Sequence, residues 1–248
     1  YILALPGNET VGSVNPVVGE TNDGWFNDIR GRHVTKAHVL EAIRGAAEGP
    51  VEEGAVGAGT GTTSFGFKGG IGTSSRRLPE SRGGYTVGVL VQNNFGGVLT
   101  IAGVAVGPKL RVREDGAGPA ADGSCLIVVA TDAPLDARNL KRLARRALLG
   151  IPRTGGYYSN ASGDYAIAFS TAPEVRVPQR SATPSRTVTL LRDEAVSRLF
   201  LAAAEAAEEA ILNSLFKAER TVGLGGHIAE ALPLDRLKPL LSGVLRKP

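Results

Sequence analysis

Apolar positions along this chain fall into two periods. Between residues 35 and 47, Val39, Ala42, Ile43 and Ala46 recur at three- and four-residue spacing, which predicts a helix with one apolar face. Thr35 offers a hydroxyl N-cap and Gly49-Pro50 a stop. The same spacing returns over 136–149, with Asp136 as cap and Gly150 at the end. It returns again over the Ala- and Glu-rich stretch 190–217, and over 234–245, where Pro239 predicts a bend. Strand-like runs occupy 85–92 (YTVGVLVQ) and 98–106 (VLTIAGVAV), and the intervening Asn93-Asn94-Phe95-Gly96-Gly97 reads as a hairpin turn. A fully apolar strand, CLIVVA, begins directly after Ser124, and YAIAFS over 165–170 is another. Residues 8–34 read as loops around short strands, and 107–123 as a loop by composition. With no internal repeat and no interdomain linker, the pattern predicts one layered α+β domain over 1–248.

Composition narrows the function classes. Hydrophobic residues make up 42% and charged residues 21%, which is a globular balance and not a disordered one. A net charge of +4 and only 5% aromatic residues argue against nucleic acid, which needs a basic stripe and stacking platforms. Cys125 is the single cysteine, so an internal disulfide or multi-cysteine zinc site is excluded. His33, His38 and His227 are too few and too scattered to mark a metal site. No apolar run reaches membrane-spanning length. The chain begins with Tyr1 and has no methionine, so a processed or shortened N-terminus is expected, and an export signal would be hidden. The compartment stays open, with cytoplasm ahead of periplasm.

Two stretches invite a chemical reading. The glycine-rich residues 54–75 resemble a phosphate loop only superficially. Phe67 intervenes before Lys68, and the Lys-Ser/Thr ending is missing. The plainer reading is close backbone packing, lining a pocket. Gly123-Ser124 is more informative, because a loop stops there and a buried strand starts at once. The Ser124 hydroxyl can attack the Gly123 carbonyl through a five-membered ring, and glycine tolerates the strained backbone this requires. Hydrolysis of the resulting ester would leave Ser124 with a free α-amine, whose ordinary pKa of about 7.7–8.0 suits a general base. On composition alone the same dipeptide is simply a turn before a strand.

Several segments together decide between these readings. NDIRGRHVTKAHVLEAI, GPVEEGAVGAGTGTTSFGFKGGIGTSSR, VGVLVQNNFG, DGSCLIVVATDAPLDARNL, RTGGYYSNASGDYAIAFSTA and GHIAEALPLDRL resemble, in order and over nearly the whole chain, the DmpA-type aminopeptidases. These are the L-aminopeptidase/D-esterase and β-aminopeptidase family of self-cleaving N-terminal-serine hydrolases. The resemblance implies that Ser124 is the nucleophile released by cleavage between Gly123 and Ser124. It implies an α-chain portion, 1–123, and a β-chain, 124–248. Ser162 and Asp164 match the serine and acidic residue held near the nucleophile, and Asn94 matches the asparagine expected to stabilise the oxyanion. Read without the family, Ser162-Gly163-Asp164 and Asn94 are turn residues. Cys125, one position along the strand, should point away from the Ser124 side chain as a buried, inert thiol. His227 is expected to be structural. The basic helix face of Arg138, Lys141, Arg142, Arg145 and Arg146 is expected to be solvated or at a subunit contact.

The implied fold is a four-layer αββα sandwich lacking its N-terminal segment. The implied activity is hydrolysis of short peptides, amino-acid amides or esters with a free amino terminus, through an acyl-enzyme, by a homo-oligomer that needs no cofactor, nucleic acid or membrane. An acyltransferase of the ornithine acetyltransferase type and an inactive truncated remnant are the alternatives. The first would carry a threonine where Ser124 stands.

Overall fold

A computed structural model of the chain describes residues 1–110, 123–179 and 181–245. Most of the loop expected over 107–123 therefore lies outside the described residues. Its first four residues, Gly107–Leu110, form one helical turn.

The centre is a four-stranded sheet of β1 (Gly70–Arg77), β2 (Thr86–Asn94), β3 (Ser124–Thr131) and β4 (Tyr165–Ser170), side by side in that order. The first three pair antiparallel, and β4 runs parallel to β3. Parallel pairing requires a crossover, which helix α2 (Ala137–Ala147) and the short turn Gly150–Arg153 supply. The long helix α3 (Asp193–Phe216) lies across β1 and β2 and also packs on α2. The remaining principal helices are α1 (Lys36–Arg44), early in the chain, and α4 (Leu234–Leu245), late in it.

Alternation divides the sheet into two unlike faces. Val87, Val89 and Val91 of β2 and Cys125, Ile127 and Val129 of β3 are buried in one core with the apolar positions of α2 and α3. The opposite face carries Leu90, Leu126, Val128 and Ile167, all half-buried, and Phe169, which is exposed. The described residues thus make one helix layer and one sheet layer, with the second face of the sheet largely uncovered. The α+β class holds, and the structure displays two of the four layers expected.

Three expectations are corrected. Asn93 and Asn94 continue β2 and do not form a hairpin turn, because each pairs with β3 (Asn93 with Cys125, Asn94 with Ser124). The next run does not return beside β2. Thr100–Ile101 pairs with Val104–Ala105, while Val98 and Thr100 donate N–H bonds to the carbonyls of Gly155 and Thr154. Helix α1 forms with Thr35 as N-cap, where the Thr35 N–H donates to His38 Nδ1 at 3.0 Å, yet none of its residues is buried. Val39 and Ile43 of its apolar face are exposed. The helix predicted over 136–149 is also revised at its end. Gly150 opens a further turn and packs so closely on α3 that a Cβ there would lie 2.7 Å from the Ala207 Cβ.

Candidate active site

Ser124 is the first residue of β3, and its side chain faces the open side of the sheet. Asn94, directly across in an antiparallel pair, faces the same way. The 162–164 loop enters β4 beside them. Its Gly163 N–H donates to the carbonyl of Gly123 at 2.9 Å. A Cβ on Gly163 would sit 3.2 Å from Ser124 Oγ, so the loop passes close to the hydroxyl. Ser162 Oγ donates to Asp164 Oδ2 at 2.6 Å. Ser124, Asn94, the Gly123 carbonyl and Gly163 therefore meet at one end of the open face, while Asp164, bonded to Ser162, lies against buried Cys125 at the same end of the sheet.

Asp164 is in an unusual setting. Its Oδ1 is buried and has no hydrogen-bond partner among the described residues. Burial raises its pKa above the ordinary aspartate value, while the Ser162 hydroxyl and the Cys125 backbone N–H pull it back down. An unused carboxylate oxygen at the base of the site can accept a proton donor that becomes available beside it. The neighbouring Tyr158 feels the same surroundings. Burial, then the charge of Asp164, pushes its pKa up to about 12, and its hydroxyl donates to the Leu148 carbonyl. Tyr158 also has φ of 55°, a left-handed conformation that a bulky residue adopts only when its surroundings impose it.

Asn94 is held at both ends of its amide. Oδ1 accepts the Thr63 N–H at 3.0 Å, and Nδ2 donates to the Asn22 carbonyl at 2.9 Å. One amide hydrogen remains available. Cys125 is buried on the helix side, and burial raises its thiol pKa well above the ordinary value, as expected of an inert thiol.

Sequence reasoning missed the segment around residues 19–23. It crosses the open face at the site. Gly19 lies against Leu126, the Tyr165 hydroxyl accepts from the Glu20 N–H and donates to the Glu20 carbonyl, and Gln92 Nε2 donates to Thr21 Oγ1. Only long-range pairing brings this polar loop to the site, so no local pattern marks it. His227 stacks on Trp25 with centroids 4.5 Å apart and bonds its carbonyl, a structural contact as expected. The basic face of α2 is partly engaged within the chain. Arg138 and Arg142 pair with Asp193, while Arg142 and Arg146 lie over the Phe200 ring. No group of three or more His, Cys, Asp or Glu among the described residues could hold a metal ion.

The chain belongs to peptidase family S58, whose model matches residues 3–229. It is 44% identical to beta-peptidyl aminopeptidase BapA of Sphingosinicella microcystinivorans, over 91% of this chain and 60% of that protein. Among solved structures it resembles a Burkholderia sp. beta-aminopeptidase (TM-score 0.85, 42% identity, 97% of this chain and 68% of the other). It also resembles the L-aminopeptidase D-Ala-esterase/amidase of Ochrobactrum anthropi, described as a variant of the Ntn hydrolase fold (TM-score 0.86, 42% identity, 96% and 66%). The chain thus spans about three fifths of the length of the curated relatives it matches. No described helix is long and apolar enough to cross a membrane.

Proposed function

We propose that this chain carries the self-processing site and the nucleophile of an N-terminal-serine aminopeptidase. The observation that carries the reading is the Gly123–Ser124 peptide itself. Its carbonyl is gripped by the Gly163 N–H at 2.9 Å, and its serine lies against the same glycine. Attack by Ser124 Oγ on the Gly123 carbonyl carbon places negative charge on an oxygen that already has a donor. The C–N bond breaks, an ester forms, and water hydrolyses it. Gly123 keeps the new carboxylate and Ser124 the new α-amine, giving pieces 1–123 and 124–248.

The freed amine then acts as general base toward its own hydroxyl, with Asp164 and Ser162 orienting both groups through charge-assisted bonds. Ser124 Oγ attacks the scissile carbonyl of a peptide, amide or ester, and Asn94 Nδ2 donates its remaining hydrogen to the oxyanion. The leaving amine departs and water cleaves the acyl-enzyme. An aminopeptidase must also counter the substrate's ammonium. The segment around Glu20, whose backbone is clamped by Tyr165, runs along the edge of the site where that ammonium would sit. In the whole protein a second sheet would cover the open face and complete an αββα sandwich. The exposed apolar side of α1 would suit a subunit contact in a homo-oligomer.

Intact mass tests the reading, with wild type beside Ser124→Ala. Wild type should give two pieces split at Gly123/Ser124 and should hydrolyse amides of L-α-, D- or β-amino acids. The variant should stay uncut and lose at least about a thousandfold in rate, as expected when a nucleophile is removed. Equal processing of the two proteins would overturn the proposal.

A further inference from the structure

Lys68 is the largest side chain in the described structure with no solvent exposure, and it is charged. It ends the second strand of a small hairpin, with Thr63 opposite Lys68 and Ser64 opposite Phe67. Its ammonium has three hydrogens, and each meets a backbone carbonyl: Gly59 at 2.7 Å, Thr62 at 2.7 Å and Gly69 at 2.8 Å. No carboxylate is among its hydrogen-bond partners. Burial pushes its pKa down to about 8, against the pull of the Asp23 charge. A methionine would fill much of the same volume without the cost of desolvating an ammonium.

What the charge holds explains its place. The Thr62 carbonyl and the Thr63 N–H belong to one rigid peptide plane. Lys68 grips the oxygen end of that plane, and the nitrogen end donates to Asn94 Oδ1 at 3.0 Å. An ammonium on the carbonyl also polarises the plane, which strengthens the N–H as a donor. This bond decides which way the Asn94 amide points. Flipped, its NH₂ would face the Thr63 N–H and its oxygen would face the Asn22 carbonyl, two repulsive contacts. The far end of the hairpin is fixed separately. Phe65, at φ of 54°, is buried edge-on against Phe95 with centroids 5.1 Å apart, and its N–H donates to the Phe95 carbonyl. The two-residue turn is thus anchored at its tip by aromatic packing and at its base by Lys68.

We infer that Lys68 is a positioning residue, which acts through the Thr62–Thr63 peptide to keep the Asn94 amide hydrogen aimed at the oxyanion. The inference rests on the proposed role of Asn94, and its test separates the two. Lys68→Met and Asn94→Ala are made singly and together in the protein. kcat and KM are read on an amino-acid amide, with rates normalised to the processed fraction and folding checked by thermal unfolding.

Asn94→Ala alone should lower kcat by about a hundredfold or more, the usual cost of losing an oxyanion donor. Lys68→Met should lower kcat by about ten- to a hundredfold with KM changed less than about twofold. Added to Asn94→Ala it should cost almost nothing further, because both changes remove one function. An unchanged kcat in Asn94→Ala would remove the reading of Asn94, and this inference with it. A large effect of Asn94→Ala combined with an equal Lys68→Met loss in both backgrounds would overturn the Lys68 inference alone. Should Lys68→Met not fold, Lys68→Gln, which keeps N–H donors without charge, runs the same cycle. Failure of both to fold would make Lys68 purely structural and would also overturn the inference.

Discussion

Asp164 sets the acid side of the proposed chemistry. It orients its partners only as a carboxylate, and burial makes ionisation harder than for a free aspartate. The acid limb of kcat against pH is therefore expected above the ordinary aspartate range. Asp164→Asn should abolish that limb and lower kcat by roughly a hundredfold, measured on the processed enzyme between about pH 4 and 8. The stability sign follows from the same shift. The native state holds this proton more tightly than the unfolded state. The contribution of Asp164 to stability is therefore greatest below the unfolded pKa and declines as pH rises through the raised one. At this scale Ser124 could be reached from the sequence because a family resemblance spans the chain. The orphaned Asp164 oxygen and the Gly163 N–H could not, since they depend on β3 and the loop before β4, and the Lys68 grip depends on how residues 59–69 fold back on themselves.

Among the elements, those with strong periodicity matched their expected positions. Tyr165–Ser170 formed as the pattern predicts, and so did the start of helix α2, where Asp136 accepts the Asn139 N–H at 2.8 Å. Connectivity did not follow the pattern. Adjacent strand-like runs at 85–92 and 98–106 suggest a hairpin, but β2 is flanked by β1 and β3, and tertiary pairing overrides the local turn signal. Helix-to-sheet packing also depends on residues that carry no apolar signal. A Cβ on Gly72 of β1 would lie 1.9 Å from the Ala210 carbonyl of α3 and 2.7 Å from the Ser214 nitrogen. Backbone cannot yield as a side chain can. Gly72→Ala is therefore expected to cost about 1–3 kcal/mol, the range for overpacking. Urea unfolding beside wild type measures it, and a change under about 0.5 kcal/mol would show that α3 moves freely over β1.

The whole molecule is lopsided. One sheet face is sealed by helices, and the other, which carries the site, holds half-buried Leu90, Leu126, Val128 and Ile167. Binary patterning could not foretell this, because β3 is apolar on both faces, as a strand between two layers would be. If a second sheet covers the face, Val128→Lys places a charge in a closed layer. A loss of several kcal/mol is then expected, read as a lowered Tm of the assembled protein. A Tm unchanged within about a degree would mean that the face stays wet.

The Gly123–Ser124 peptide lies at the very start of a central strand. The strand partners β1 and β2 stand on one side of that peptide in the chain, and β3, β4, α2 and α3 on the other. Eight residue pairs join β2 to β3 across this seam, and α3 from the later half covers β1 and β2 from the earlier. The buried core draws on both halves. A cut there separates two chains in covalent terms and nothing in structural terms, so the halves are obligate partners, like the subunits of a heterodimer that never meet as folded monomers. Were the peptide cut as proposed, proteolytic turnover of one piece would begin with the unfolding of both.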